Sequence, residues 1–130
     1  VSVVFTGDIG RDVERDVAAR VEPAALRVVK VPHHGSVSSS SAPLVDALQA
    51  DVAVISAGRG NRFGHPSARV QARYAGAGAH VFRTDRDGAV RVDTDGQSIT
   101  VRTFTGRTVH LSPRRRARPA TEAPEAAAEE

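Results

Sequence analysis

The 130-residue sequence contains no cysteine, methionine or tryptophan. Without cysteine, disulfides, thiolate metal centres and thiol nucleophiles are excluded, and any metal must be held by imidazole and carboxylate. Aromatic residues are scarce as well, at 4% against 40% hydrophobic residues overall, so a core must be built from Val, Ala, Ile and Leu. That composition suits an alanine-rich α/β layer fold better than an aromatic-rich sandwich. No apolar run approaches the roughly 20 residues that span a bilayer, and no signal peptide is visible, so the chain as given reads as soluble. Its length predicts one small domain with a single core. Lysine is nearly absent: Lys30 stands alone among the 18 basic residues, and the formal net charge is +3. The arginines and glutamates of residues 112–130 cancel, so residues 1–111 carry that excess. A modest surplus of arginine permits a phosphate-bearing partner.

What is present has a regular order. "VSVVF" (1–5), "LRVVKV" (26–31), "VAVISA" (52–57) and "HVFRT" (80–84) read as strands. Between them "DVERDVAARV" (12–21) sets Val13, Val17 and Val21 at helical spacing, with its charges on the other side. "APLVDALQA" (42–50) follows a serine cluster suited to capping, and "PSARVQARYAGAGA" (66–79) has Pro66 near its first turn and Gly76 and Gly78 to close it. Alternating strands and helices imply crossover connections and a largely parallel stretch of sheet. After residue 84, "GAVRVDTDGQSITVRTF" alternates apolar and polar residues around Asp95–Gly96, a hairpin signal. From Ser112 onward Pro, Arg, Ala and Glu show no apolar periodicity, which predicts a disordered tail over 112–130. Val1 stands directly inside a strand-like run, from which we expect an earlier part of the chain to lie elsewhere.

Ligands of open α/β sheets bind beyond the carboxyl ends of the strands. Three polar loops fall there: "TGD", "PHHGS" and "GRGNRFGHP". Asp8, His33, His34 and His65 should therefore converge on one edge, a set suited to zinc or manganese. Gly7, Gly35 and Gly64 allow sharp turns beside a ligand. Blander readings stand beside this one. Asp8 could cap a helix, His33 and His34 could bond loop carbonyls, and His65 before Pro66 could cap the third helix. His80 and His110 read as structural or solvent-facing, and Ser36 and Ser38–Ser41 as capping residues rather than nucleophiles. "GRGNRFG" lacks the lysine of a P-loop, which argues against nucleotide binding.

"FTGD", "LRVVKVPHHGS", "VAVISAGRGNRFGHP" and "VFRTDRDGAV", in this order and spacing, resemble the metallo-β-lactamase-like domain of ComEC-type DNA-internalisation competence proteins. The likeness covers about residues 1–93. It implies an αββα sandwich with two divalent metal ions, Zn or Mn, at one edge. This chain would supply the C-terminal half, residues 1–111, as a mixed sheet with flanking helices and a terminal hairpin. Such a half-sandwich sheet would lack its partner layer. By the same resemblance Asp8 is a bridging metal ligand and His65 a terminal one. His34 is a ligand or phosphate contact, and His33 and His34 are the catalytic pair. Arg59, Asn61 and Arg62 are candidate phosphate contacts, since guanidinium pairs bidentately with phosphate. The implied activity is metal-dependent phosphodiester hydrolysis of a DNA strand during uptake, within a parent protein of the bacterial cell membrane. The family's HxHxDH motif is absent from this sequence, so the chain alone is expected to bind metal weakly and turn over little. Two other readings are a non-catalytic DNA-binding remnant and another hydrolase of the fold, such as a phosphorylcholine esterase or a lactonase.

Overall fold

Four short β-branched runs form strands β1 (Ser2–Phe5), β2 (Arg27–Lys30), β3 (Val52–Ile55) and β4 (His80–Arg83) in a computed structural model that describes residues 1–113. Helices α1 (Arg11–Arg20), α2 (Ala42–Leu48) and α3 (Ala68–Gly76) connect them. The strands are all parallel and lie in chain order, β1-β2-β3-β4. Their register sets Val3 beside Val28, Val28 beside Val52 and Val52 beside His80. Crossovers that always step the same way leave the three helices on one face.

Side chains alternate across each strand, so one strand serves two layers. Val29, Val31, Ala53 and Ile55 face the helices, where Leu44, Val45, Leu48, Val70 and Tyr74 are buried against them. Val28, Val52 and Phe82 face the other way. Each such side chain, fully buried, contributes roughly 1.5–3 kcal/mol.

The second face is covered by a separate sheet. After β4 the chain makes one helical turn, α4 (Thr84–Asp87), and then strands β5 (Val90–Thr94), β6 (Ile99–Thr103) and β7 (Thr108–Leu111). These three are antiparallel, and Ile99 and Val101 pack on Val28, Val52 and Phe82. The layers are therefore helices, parallel sheet, antiparallel sheet. The expected mixed sheet is two sheets, and the expected hairpin gains a third strand. The expected bare face is covered over β2, β3 and β4 but not over edge strand β1, whose Val3 and Phe5 are 47% and 82% exposed.

Helix α1 departs from its periodic reading. Val13 is exposed and Glu14 is buried, because the Glu14 carboxylate accepts the backbone N–H groups of Ser40 and Ser41 in front of α2. The serine side chains make no cap bond to that helix. Buried Arg27 ties the opposite end together, donating to the Glu22 and Leu48 carbonyls. Among the described residues no helix is long and apolar enough to cross a membrane. Ser112 and Pro113 follow β7 without regular structure, and the rest of the expected disordered tail lies outside the described residues.

Candidate functional site

The carboxyl ends of β1, β2 and β3 open into three loops, and hydrogen bonds knit them together. The Thr6 hydroxyl donates to the Lys30 carbonyl at 2.6 Å. The His33 N–H donates to the Gly7 carbonyl at 3.0 Å, and the Ser67 N–H to the Gly35 carbonyl at 2.9 Å. Gly35 also touches the third loop directly: a Cβ there would stand 2.6 Å from the Pro66 Cβ.

The middle loop is a tight turn, Pro32–Gly35, with unusual backbone. His33 (φ 48°, ψ 44°) and His34 (φ 56°, ψ 23°) are both left-handed, and Gly35 follows at φ 77°. Left-handed backbone costs a residue with a Cβ roughly 1–2 kcal/mol. The surroundings hold it there, with the Ser39 hydroxyl donating to the Pro32 carbonyl and the Ser36 N–H to the His33 carbonyl. The turn sets the two imidazoles with ring centroids 6.3 Å apart and planes 60° to one another.

His34 is the better oriented. Its Nδ1 lies 2.8 Å from the Ser56 carbonyl oxygen. A carbonyl can only accept, so Nδ1 carries a proton, and in the neutral ring Nε2 presents its lone pair. That Nε2 is 3.5 Å from Asp8 Oδ1. Two donors of one tetrahedral ion, each about 2.0–2.1 Å from it, stand roughly 3.4 Å apart. A carbonyl behind the imidazole is also the support that metal-binding histidines use. Asp8 and His34 thus fit two positions of a single cation. They do not fit a whole centre: among the described residues no three His, Asp or Glu side chains are grouped to hold a metal ion. Asp8 is exposed and does not cap α1, whose N-cap is Gly10.

His65 stands near His33, their ring centroids 6.0 Å apart. Neither ring makes a hydrogen bond among the described residues, so both remain available. The loop before His65 is braced by Asn61. The Asn61 amide donates to the Gly58 and His65 carbonyls and accepts the N–H groups of Phe63 and His65. All four of its hydrogen-bonding positions face the loop, so Asn61, expected as a phosphate contact, is engaged as a brace. Arg59 and Arg62 are exposed and make no hydrogen bond or ion pair among the described residues. Exposed Phe63 stacks on His65 at 5.7 Å between centroids and 19° between planes, and Arg62 lies 5.2 Å from its ring. A cleft of about 270 Å³ opens between His34, Asn61, Phe63 and His65.

Two residues escaped the sequence reading. Glu14 is hidden by its place in a charged helical run, and Phe63 by glycines and arginines. Aromatic scarcity was the available signal for Phe63. His80 and His110 lie away from this edge, His80 at the start of β4 and His110 bonded to the Thr100 hydroxyl at 2.9 Å. A larger groove, about 640 Å³, lies at the opposite edge between Leu26, His80 and Leu111. Its carboxylate, Asp51, accepts the Arg27 N–H at 2.7 Å.

Fold and site together define an α/β domain that carries imidazoles, a carboxylate and free guanidinium groups on the carboxyl edge of a parallel sheet. The chain is related to a small part of competence proteins. It is 34% identical over 91 residues to ComE operon protein 3 of Bacillus subtilis, covering 70% of this chain and 12% of that protein. It is 35% identical over 97 residues to the uncharacterized protein YcaI of Escherichia coli, covering 74% and 13%. It is 32% identical over 91 residues to competence protein ComA of Neisseria gonorrhoeae, covering 69% and 13%. The chain thus spans about an eighth of the length of these curated relatives. No protein-family model matches it, and no solved structure matches it.

Proposed function

We propose that this chain is the C-terminal half of a metallo-β-lactamase-like phosphodiesterase domain that acts on a DNA strand in competence. The Asp8–His34 pair carries the reading: a carboxylate and an imidazole oriented by the Ser56 carbonyl, 3.5 Å apart. Relatedness to competence proteins supports DNA as the phosphodiester; we place the parent in the bacterial membrane as part of the same proposal. A divalent cation held by Asp8 and His34, with further donors from outside this chain, would supply Lewis-acid chemistry to the phosphate. The chain's own groups then have distinct tasks. Arg59 and Arg62 bind and orient the phosphates through planar, bidentate contacts. His33, whose ring lies 6.3 Å from that of His34 and 6.0 Å from that of His65, would deliver a proton to a leaving oxygen.

The test uses the 130-residue chain with manganese or zinc in a calorimeter. One weakly bound cation is expected, lost in both Asp8→Ala and His34→Ala. Two tightly bound cations, or one indifferent to Asp8→Ala, would overturn the reading. Arg59→Ala and Arg62→Ala should each weaken strand binding and lower its salt slope by about one. The incomplete ligand group favours a second reading, a DNA-binding piece without catalysis. Strand affinity that ignores both cation and chelator would select it.

A further inference from the structure

Only five aromatic residues occur in the chain, four Phe and one Tyr, and their placement is uneven. Tyr74 and Phe82 are fully buried, whereas Phe63 is 68% exposed on the candidate edge. An exposed phenyl ring loses the hydrophobic stabilisation that burial would bring it, so its place in a loop this well braced calls for a reason. The four Asn61 bonds hold the loop on both sides of the ring. His65 backs it in a nearly parallel stack, 5.7 Å between centroids and 19° between planes, within the range of offset aromatic pairs. The loop that carries the ring is thus braced, and His65 stacks on the ring, before any ligand arrives. Phe5 and Phe104 are more exposed still, at 82% and 86%, but among the described residues neither has a stacked ring or a guanidinium beside it.

Two further features give the ring a ligand class. The adjoining cleft, about 270 Å³, falls below the roughly 300–1,000 Å³ of a small-molecule site. It has room for one flat ring system rather than a whole cofactor. Arg59 and Arg62 lie within four residues of Phe63 and make no hydrogen bond or ion pair among the described residues, Arg62 resting over the ring with its guanidinium carbon 5.2 Å from the centroid. A flat aromatic platform beside free guanidinium groups is the arrangement that holds single-stranded nucleic acid, where each base offers a π-face and each linkage a negative charge.

We infer that Phe63, backed by His65, is a stacking platform for an unpaired base of a single DNA strand whose phosphates are held by Arg59 and Arg62. This rests on the reading of the edge as a phosphodiester site and adds what that reading lacks, a means of preferring single strands. In a duplex the faces of the bases are covered by their neighbours, and Phe63 has nothing to stack on.

Because the chain contains no tryptophan, Phe63→Trp creates a fluorescent reporter unique to this position. Three probes are titrated into the full chain: oligothymidylate, an abasic strand of the same length, and a duplex. Oligothymidylate should quench the indole, while the other two bind without quenching it. Phe63→Ala should weaken oligothymidylate binding roughly tenfold and leave the abasic strand unchanged, and Phe63→Tyr should keep the preference. Equal quenching by the abasic strand, or an unchanged oligothymidylate affinity in Phe63→Ala, overturns the platform while leaving the phosphate site standing. Failure of the wild-type chain to bind any of the three overturns both.

Discussion

At the scale of single residues, the site depends on backbone more than on side-chain chemistry. His33 and His34 are left-handed residues held in place by the neighbouring loops, and Gly35 is where those loops touch. At φ +77°, Gly35 would bring a Cβ within 2.6 Å of the Pro66 Cβ and 3.1 Å of its Cα. Backbone cannot yield as a flexible side chain can. Gly35→Ala should therefore cost about 2–4 kcal/mol, a strained φ and a clash together, read as a fall in the denaturant midpoint. Gly60 offers the control, being left-handed at φ +62° with nothing within 4 Å of its Cβ position. Gly60→Ala should cost only about 1 kcal/mol. Equal costs at the two positions would show that loop contact is not what Gly35 provides. The sequence made "PHHGS" conspicuous, and a glycine beside a ligand loop was expected there. That both histidines would be left-handed was not readable, because the bonds that impose it come from Gly7, Ser36 and Ser39.

At the scale of elements, periodicity located every strand of the parallel sheet and all three long helices, with ends differing by a residue or a few. It failed where pairing is non-local. Strand β7 (Thr108–Leu111) is short and follows Gly106, so nothing in its own pattern distinguishes it from a loop until β6 lies beside it. Two sheets were taken for one because alternation reports a buried face and not the partner strand. Helix α1 was misjudged for a related reason: Glu14 is buried by what it binds on α2, not by its hydrophobicity. The loop that Glu14 holds reaches the α3 residue Tyr74, whose hydroxyl meets the Ser40 hydroxyl at 3.2 Å. Burial pushes the Tyr74 phenol up to about 12, with the Ser40 hydrogen bond pulling the other way. A raised native pKa means the folded chain keeps a proton that the unfolded chain, near pH 10, has lost. Stability should accordingly fall as pH rises from about 10 to 12, by roughly 2–3 kcal/mol in all. Denaturation of wild type and Tyr74→Phe across that range checks it. The variant should lack this component of the slope, and identical slopes would count against a buried phenol.

At the scale of the whole molecule, the fold and the site are held by different things. Three apolar clusters fill the spaces between helices and parallel sheet and between the two sheets, and none contains Asp8, His33, His34 or His65. The site is a rim of loops on a scaffold already closed without it. A zinc finger is the opposite case, since its metal is most of its folding energy. Removing divalent cations with a chelator should therefore leave the thermal midpoint of this chain where it was. Phe82→Ala, which empties the junction of the two sheets, should cost about 3–5 kcal/mol. A midpoint that drops on chelation by as much as in Phe82→Ala would mean that a cation is structural, and that the Asp8–His34 pair helps to build the fold. The same separation explains why the core was more legible than the site. Apolar period is written locally along each strand, whereas the fit of Asp8 to His34 depends on how β1, β2 and β3 stand side by side. It also leaves β1 as the strand whose outer face the second sheet does not reach, so Val3 and Phe5 stay exposed immediately before the loop that carries Asp8.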